Sequence, residues 1–128
     1  MIKRVIAVLV AGAVSVSAQA AVFELPDEVV EAYDAVRRHF PEVPVQVEVT
    51  TLEQLTDLLA AGCDQILLDN MDVSTMREAV EINAGRARLE ASGGLSLDRA
   101  REVAATGVDF LAVGALTHSA PVLDIAMD

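Results

Sequence analysis

Three acidic side chains interrupt runs of the sequence that are otherwise mostly apolar. Glu48 stands in Val-Gln-Val-Glu-Val, Asp69 follows Ile-Leu-Leu and precedes Asn70, and Glu90 lies in Arg-Leu-Glu-Ala. Carboxylates that face one cleft can hold ribose hydroxyls, bind Mg²⁺, or stabilise positive charge that develops on a sugar carbon. Each acid taken alone could equally cap a helix or pair with an arginine, but their recurrence favours a shared site.

Two glycine-containing segments are suited to an oxygen-rich anion. Ser-Gly-Gly at 92–94 precedes a predicted helix, and Gly-Ala-Leu-Thr at 114–117 follows the last predicted strand. Glycines let a phosphate approach the backbone, where free N–H groups and a helix N-terminus supply positive potential. His118 comes next and could donate a hydrogen bond to a phosphate oxygen, or be an ordinary loop histidine. Isolated glycine pairs are more often plain turns.

Strands and helices are predicted to alternate from Pro26 onward. Short apolar runs predict strands at 45–49, 65–69, 87–91 and 108–113. Amphipathic segments predict helices at 26–40, 52–59, 73–82 and 97–106, with Thr51 and Ser96 as caps and the third helix starting near Asp72. This order predicts an α/β fold of serial βα units that form a parallel sheet, as a partial α/β barrel. Ligands of such folds bind beyond the carboxyl ends of the strands, where the acids and glycines are expected.

Composition and charge restrict the class of protein. The chain has 128 residues, of which 53% are hydrophobic, enough for one compact domain. Its formal net charge of -11 opposes attraction to nucleic acid or anionic membranes, and 3% aromatic residues leave little for base stacking. A single cysteine, Cys63, excludes an internal disulfide and a thiolate metal cluster. We therefore expect neither a nucleic-acid nor a membrane partner.

The N-terminal segment, residues 1–26, has two interpretations. A charged start, an apolar run from Val5 to Val16 and Ser-Ala-Gln-Ala ending at Ala20 are typical of a secretory signal peptide. A buried strand of a parallel sheet followed by small residues would give the same pattern. The run is too short and too rich in small residues for a membrane-spanning helix. Both interpretations stay open at this point.

Four motifs follow one another in the rest of the chain. They are Val-Glu-Val-Thr-Thr-Leu-Glu-Gln-Leu at 47–55, Leu-Leu-Asp-Asn-Met at 67–71, Leu-Glu-Ala-Ser-Gly-Gly at 89–94, and Thr-Gly-Val-Asp at 106–109 with Val-Gly-Ala-Leu-Thr-His-Ser at 113–119. Together they resemble the quinolinate phosphoribosyltransferase family, also called carboxylating nicotinate-nucleotide pyrophosphorylase. The resemblance covers residues 27–128 and implies the C-terminal part of the family's barrel domain. It also implies a cytoplasmic enzyme of NAD biosynthesis, which uses Mg²⁺ to join quinolinate to phosphoribosyl pyrophosphate, giving nicotinate mononucleotide, CO2 and pyrophosphate.

The resemblance also implies roles for individual residues. Glu48 and Asp69 match the catalytic carboxylates that bind the ribose hydroxyls and the Mg²⁺-linked region of phosphoribosyl pyrophosphate, and that stabilise an oxocarbenium-like transition state. The two loops around the phosphate are matched by Ser92, Gly93, Gly94, Val113, Gly114 and Ala115. His118 matches a histidine beside these loops.

The part of the family that binds quinolinate has no counterpart in this sequence. The family normally begins with a sandwich domain and early barrel strands, which carry Arg and Lys residues for the two quinolinate carboxylates, whereas Lys3 is the only lysine here. A dianionic pyridine buried without paired cations would carry a large desolvation cost. We therefore expect an incomplete fragment that self-associates, or that needs the missing N-terminal part or a partner subunit. The alternative is an exported, non-catalytic α/β module that binds phosphate.

Overall fold

The computed structural model describes residues 7–9 and 28–113, which form an alternating series of strands and helices. Their order is β1 (Ala7–Leu9), α1 (Val29–His39), β2 (Val45–Val49), α2 (Leu52–Ala60), β3 (Gln65–Asp69), α3 (Val73–Asn83), β4 (Arg88–Ser92), α4 (Leu97–Ala104) and β5 (Phe110–Leu111). The predicted α/β class is confirmed. The strands predicted at 45–49 and 65–69 match residue for residue, whereas the last one is only two residues long.

The strands form one sheet in the order β1-β2-β3-β4-β5. Strands β2 to β5 are parallel, as the βα order predicts, whereas β1 is antiparallel to β2. The interpretation of the N-terminal apolar run as a strand of a parallel sheet is therefore wrong in its direction. An apolar run does not encode its direction, because both pairings satisfy the backbone hydrogen bonds.

The two faces of the sheet differ in burial because side chains alternate along each strand. One face is buried beneath the helices and carries Val45, Val47, Val49, Ile66, Leu68, Leu89 and Ala91. The other face, called the polar face below, carries Gln46, Glu48, Gln65, Leu67, Asp69, Arg88, Glu90 and Ser92. Leu55, Leu58, Met76 and Val103 of the helices complete the core on the buried side. The helices thus fix the strands and leave the polar face open among the described residues.

Side chains at the helix N-termini fix where two of the helices begin. The Thr51 hydroxyl accepts a hydrogen bond from the Gln54 backbone N–H at 3.2 Å, and Asp72 accepts one from the Thr75 N–H at 2.8 Å. The Thr75 N–H, together with the Ser74 hydroxyl, lowers the pKa of Asp72 to about 2. The prediction that Ser96 caps α4 through its side chain is wrong. The start of α4 is exposed, with Leu97 63% accessible, so water can satisfy its free N–H groups.

The remaining features of the helical side are structural. Cys63 is buried, its Sγ donates to the Gln65 carbonyl at 3.3 Å, and burial raises the pKa of its thiol to about 11. A thiol in this state is a poor nucleophile, so Cys63 is a packing residue. Among the described residues, no helix is long and apolar enough to cross a membrane.

Candidate functional site

Parallel pairing aligns the side chains of the polar face in rows across the sheet. Glu48 pairs with Leu67, and Leu67 pairs with Glu90, so these three residues form one row. Asp69 pairs with Ser92 in the next row toward the carboxyl ends of the strands. Because neighbouring strands lie about 4.8 Å apart, Glu48 and Asp69 are diagonal neighbours. The structure therefore brings Glu48, Asp69 and Ser92 together, as the sequence predicts.

Glu48 and Asp69 are close enough to influence each other electrostatically. Burial raises the pKa of Glu48 above its usual range, and the negative charge of Asp69 raises it further. The negative charge of Asp69 therefore opposes the ionisation of Glu48. Two adjacent carboxylates do not stabilise the fold. Both of them can stabilise a bound ligand that carries hydroxyls or a cation.

The substitution Glu48→Gln is expected to stabilise the folded chain at neutral pH. A raised folded-state pKa means that the native state binds the proton more tightly than the unfolded state, so stability falls as pH rises through the carboxyl range. Glutamine does not titrate, so the variant does not lose stability in this way. The difference in the free energy of unfolding between the variant and the unchanged chain should shrink as the pH falls below the usual glutamate pKa. Urea denaturation at several pH values measures it.

The matched control for this prediction is Glu53→Gln on the exposed side of α2. It removes the same charge at a position away from the polar face. An equal gain in stability from Glu53→Gln, or a gain from Glu48→Gln that does not depend on pH, would contradict the explanation.

Glu90 lies in the same row of the polar face as Glu48, one row before Asp69. It is the third residue of β4, and its Oε2 accepts a hydrogen bond of 2.6 Å from Nε2 of Gln46, on the same face. The strand register thus places the three acids on one face of the sheet, with Glu48 and Glu90 on either side of Leu67 and Asp69 in the next row. Among the residues that the structure describes, no group of three His, Cys, Asp or Glu side chains could hold a metal ion.

The loops after β3 and β4 contact each other through their backbones. The Asn70 N–H donates to the Ser92 carbonyl at 2.9 Å, and Asn70 has a positive φ of 52°. A Cβ added to Gly93 would lie 2.8 Å from the Asn70 nitrogen, at a φ of +95°. Gly93 is thus required by the neighbouring loop, whereas no atom of the described residues lies within 4 Å of a Cβ added to Gly94. Only Gly94 leaves open space for a ligand at this turn.

The second predicted phosphate loop lies mostly beyond the part of the chain that the structure describes. Val113 is half-buried and packs against the hydrophobic core, so only its backbone remains for a ligand. Gly114, Ala115 and His118 lie outside the described residues. Their assignment stays a prediction.

Sequence reasoning missed two features of the structure. The first is Gln46 as the partner of Glu90; the period of two along β2 places it on the polar face, but its partner lies 44 residues away. The second is a concavity of about 600 Å³ at the opposite end of the sheet. It lies at the amino ends of β3, β4 and β5 and is lined by Asp64, Arg86, Arg88 and Asp109 among others. No motif in the sequence indicated it.

Comparison with known proteins agrees with the fold and the motifs. The model of the family described as "Quinolinate phosphoribosyl transferase, C-terminal domain" matches residues 6–128. A nicotinate-nucleotide pyrophosphorylase [carboxylating] of Mycobacterium leprae is 53% identical over 103 residues, which are 78% of this chain and 36% of the relative. A probable enzyme of the same name from Bacillus subtilis is 41% identical over 86 residues, covering 67% of this chain and 30% of the relative.

Solved structures give the same result. The nicotinate-nucleotide pyrophosphorylase of Francisella tularensis superposes with a TM-score of 0.67 at 36% identity, over 70% of this chain and 32% of that one. The chain thus spans about a third of the length of the relatives that it matches. With the parallel βα units, the paired carboxylates and the family match in agreement, the chain belongs to the quinolinate phosphoribosyl transferase family and corresponds to its C-terminal domain.

Proposed function

We propose that this chain forms the part of a carboxylating nicotinate-nucleotide pyrophosphorylase that binds phosphoribosyl pyrophosphate. The observation that carries the proposal is the position of Glu48 and Asp69, which are adjacent on the open polar face and next to the glycine turn after β4. Carboxylates suit ribose hydroxyls, and backbone N–H groups at a glycine turn suit phosphate. A phosphorylated sugar carries both kinds of group, so it fits the carboxylate pair and the glycine turn together.

The proposed reaction transfers the phosphoribosyl group to quinolinate. The lone pair of the pyridine nitrogen forms a bond to the sugar C1, while the bond from C1 to the diphosphate oxygen breaks and its electron pair leaves with the diphosphate. The bond from the ring to one carboxylate also breaks, CO2 leaves, and the ring carbon takes up a proton to give nicotinate mononucleotide. Positive charge develops at the sugar carbon, where the carboxylates of Glu48 and Asp69 stabilise it.

Asp69 and Glu48 would also hold Mg²⁺ together with the substrate. Magnesium in such sites is bound through one or two carboxylates and the oxygens of substrate phosphates, and two adjacent carboxylates fit this pattern. Bound there, the ion would neutralise charge on the diphosphate. The phosphate would lie against the backbone of Ser92, Gly93 and Gly94, with Val113, Gly114, Ala115 and His118 on its other side.

Quinolinate binding requires residues other than those described. The polar face carries Glu48, Asp69 and Glu90, whose negative charges repel the two carboxylates of quinolinate. Arg88 on this face lies at the amino end of β4, away from Asp69 and Ser92. We therefore propose a homo-oligomer, or assembly with an N-terminal part, in the cytoplasm as the active form.

Isothermal titration calorimetry of the chain with phosphoribosyl pyrophosphate tests the proposal. We expect binding that depends on Mg²⁺ and disappears with a chelator, and no binding of quinolinate alone. Pyrophosphate serves as the control ligand, since it offers the phosphates without the ribose hydroxyls. Equal affinity for pyrophosphate would show that the ribose contributes nothing to binding. No binding of phosphoribosyl pyrophosphate would overturn the proposal.

A further inference from the structure

Asn70 follows Asp69 directly and has an unusual backbone conformation. Its φ is 52°, and among the described residues it shares a positive φ outside glycine only with Ala84. Its backbone N–H donates to the Ser92 carbonyl at 2.9 Å, and a Cβ added to Gly93 would lie 2.8 Å from the same nitrogen. The loops after β3 and β4 thus fix the backbone of Asn70 at the carboxyl ends of the strands.

The side-chain amide of Asn70 has no partner in the described part of the chain. The side chain is exposed, and no hydrogen bond within that part of the chain involves its amide group. An asparagine amide offers two N–H donors and one carbonyl acceptor. The backbone conformation itself requires no side chain, because glycine adopts a positive φ at lower cost. The amide is therefore available to a ligand that binds beside Asp69.

An uncharged donor at this position suits a phosphate that binds next to carboxylates. The backbone N–H of Asn70 already donates to Ser92, so only the side chain of this residue can donate to a ligand. A lysine or arginine here would pair with Asp69, whose oxygens would then be less available to a ribose hydroxyl or Mg²⁺. Arg88, the arginine on the described polar face, lies at the amino end of β4. A neutral amide can bind phosphate and leave the carboxylate of Asp69 unpaired.

We propose that the side-chain N–H of Asn70 donates a hydrogen bond to a phosphate oxygen of phosphoribosyl pyrophosphate. The inference rests on the proposed function, in which the phosphate lies against the backbone of Ser92, Gly93 and Gly94. Asn70 contacts this turn through its backbone N–H and through the close approach of Gly93. Asn70 is thus a binding residue between Asp69, which acts on the ribose hydroxyls and Mg²⁺, and the turn that faces the phosphate.

Two substitutions of Asn70 test this hydrogen bond by titration calorimetry with phosphoribosyl pyrophosphate at fixed Mg²⁺. Asn70→Gly keeps the backbone conformation and removes the amide, so the affinity should fall about tenfold, as expected for one hydrogen bond to a charged group. Asn70→Asp also tolerates a positive φ, but its carboxylate repels phosphate and cannot donate, so the affinity should fall further. Aspartate would replace an amide that bound a ribose hydroxyl or Mg²⁺ through its oxygen. Equal or higher affinity in Asn70→Asp would therefore overturn the inference.

Ala84→Gly is the matched control for the change in backbone. Ala84 has a φ of 47° at the C-terminus of α3, which leads into the amino end of β4. This variant should bind with unchanged affinity, and neither glycine variant should lower the free energy of unfolding, because glycine adopts a positive φ without strain. Unchanged affinity in Asn70→Gly, or an equal loss in Ala84→Gly, would overturn this inference alone. If the unchanged chain does not bind phosphoribosyl pyrophosphate, the proposed function fails first.

Discussion

Asp69→Asn is expected to weaken the Mg²⁺-dependent binding of phosphoribosyl pyrophosphate by about 10- to 100-fold. Asp69 is the last residue of β3 and lies beside Ser92 on the polar face, where the sugar and the metal-linked phosphates are proposed to bind. A hydrogen bond to a charged group contributes about 1.5–3 kcal/mol, and asparagine keeps the shape of the side chain while removing its charge. Titration calorimetry at fixed Mg²⁺ measures the change.

The control for this prediction is Asp57→Asn, which makes the same chemical change on the exposed side of α2. The Asp57→Asn variant should bind phosphoribosyl pyrophosphate with the same affinity as the unchanged chain. If Asp57→Asn weakens binding as much as Asp69→Asn does, the loss reflects net charge and not the site. The double variant Asp69→Asn/Glu48→Gln should lose less than the sum of the two single losses, because neighbouring residues that hold one ligand are coupled.

Gly93→Ala is expected to lower the free energy of unfolding by about 2–5 kcal/mol. Its φ of +95° costs an L-residue about 1–2 kcal/mol, and the added methyl group would lie 2.8 Å from the Asn70 nitrogen. The neighbour is backbone and cannot turn away, so the two loops must separate, at a further cost of about 1–3 kcal/mol. Urea denaturation followed by circular dichroism measures the change.

Gly62→Ala is the matched control for backbone strain. Gly62 has a similar φ of +81°, and a Cβ added there would meet no atom within 4 Å in the described part of the chain. The free energy of unfolding of Gly62→Ala should fall by about 1–2 kcal/mol, from the backbone conformation alone. Equal losses at Gly62 and Gly93 would show that the contact with Asn70 contributes nothing. Since Asn70 follows Asp69 directly, the disturbed loop should also weaken ligand binding in Gly93→Ala.

The same contact revises the interpretation of the glycine turn. From the sequence, both glycines of Ser-Gly-Gly are read as space for a phosphate. The structure instead gives Gly93 a packing role and leaves the open side of the turn to Gly94. The two glycines thus meet different requirements. Gly93 allows the β4 loop to pack against the β3 loop, and Gly94 exposes backbone next to the carboxylates. A turn read as a binding site from glycine alone would miss the first requirement.

Local sequence patterns are sufficient to assign most of the helices and strands and to place Glu48 and Asp69 on the polar face. The period of two along Val45–Val49 and Gln65–Asp69 places Glu48 and Asp69 opposite the apolar residues that the helices cover, and Thr51 and Asp72 mark where two helices begin. Such signals are local, since they depend on residues within a few positions of one another. The ordered motifs were sufficient to indicate the family for the same reason.

Which residues meet across the sheet depends on contacts between distant parts of the chain. The antiparallel direction of β1, the hydrogen bond from Gln46 to Glu90 and the close approach of Gly93 to Asn70 all join distant parts of the chain. A period of two assigns a side chain to a face, but the strand register decides its neighbour and its row. Glu90 shows this: its row depends on pairing with β3 and its hydrogen bond on a glutamine from β2, which no local pattern of β4 encodes.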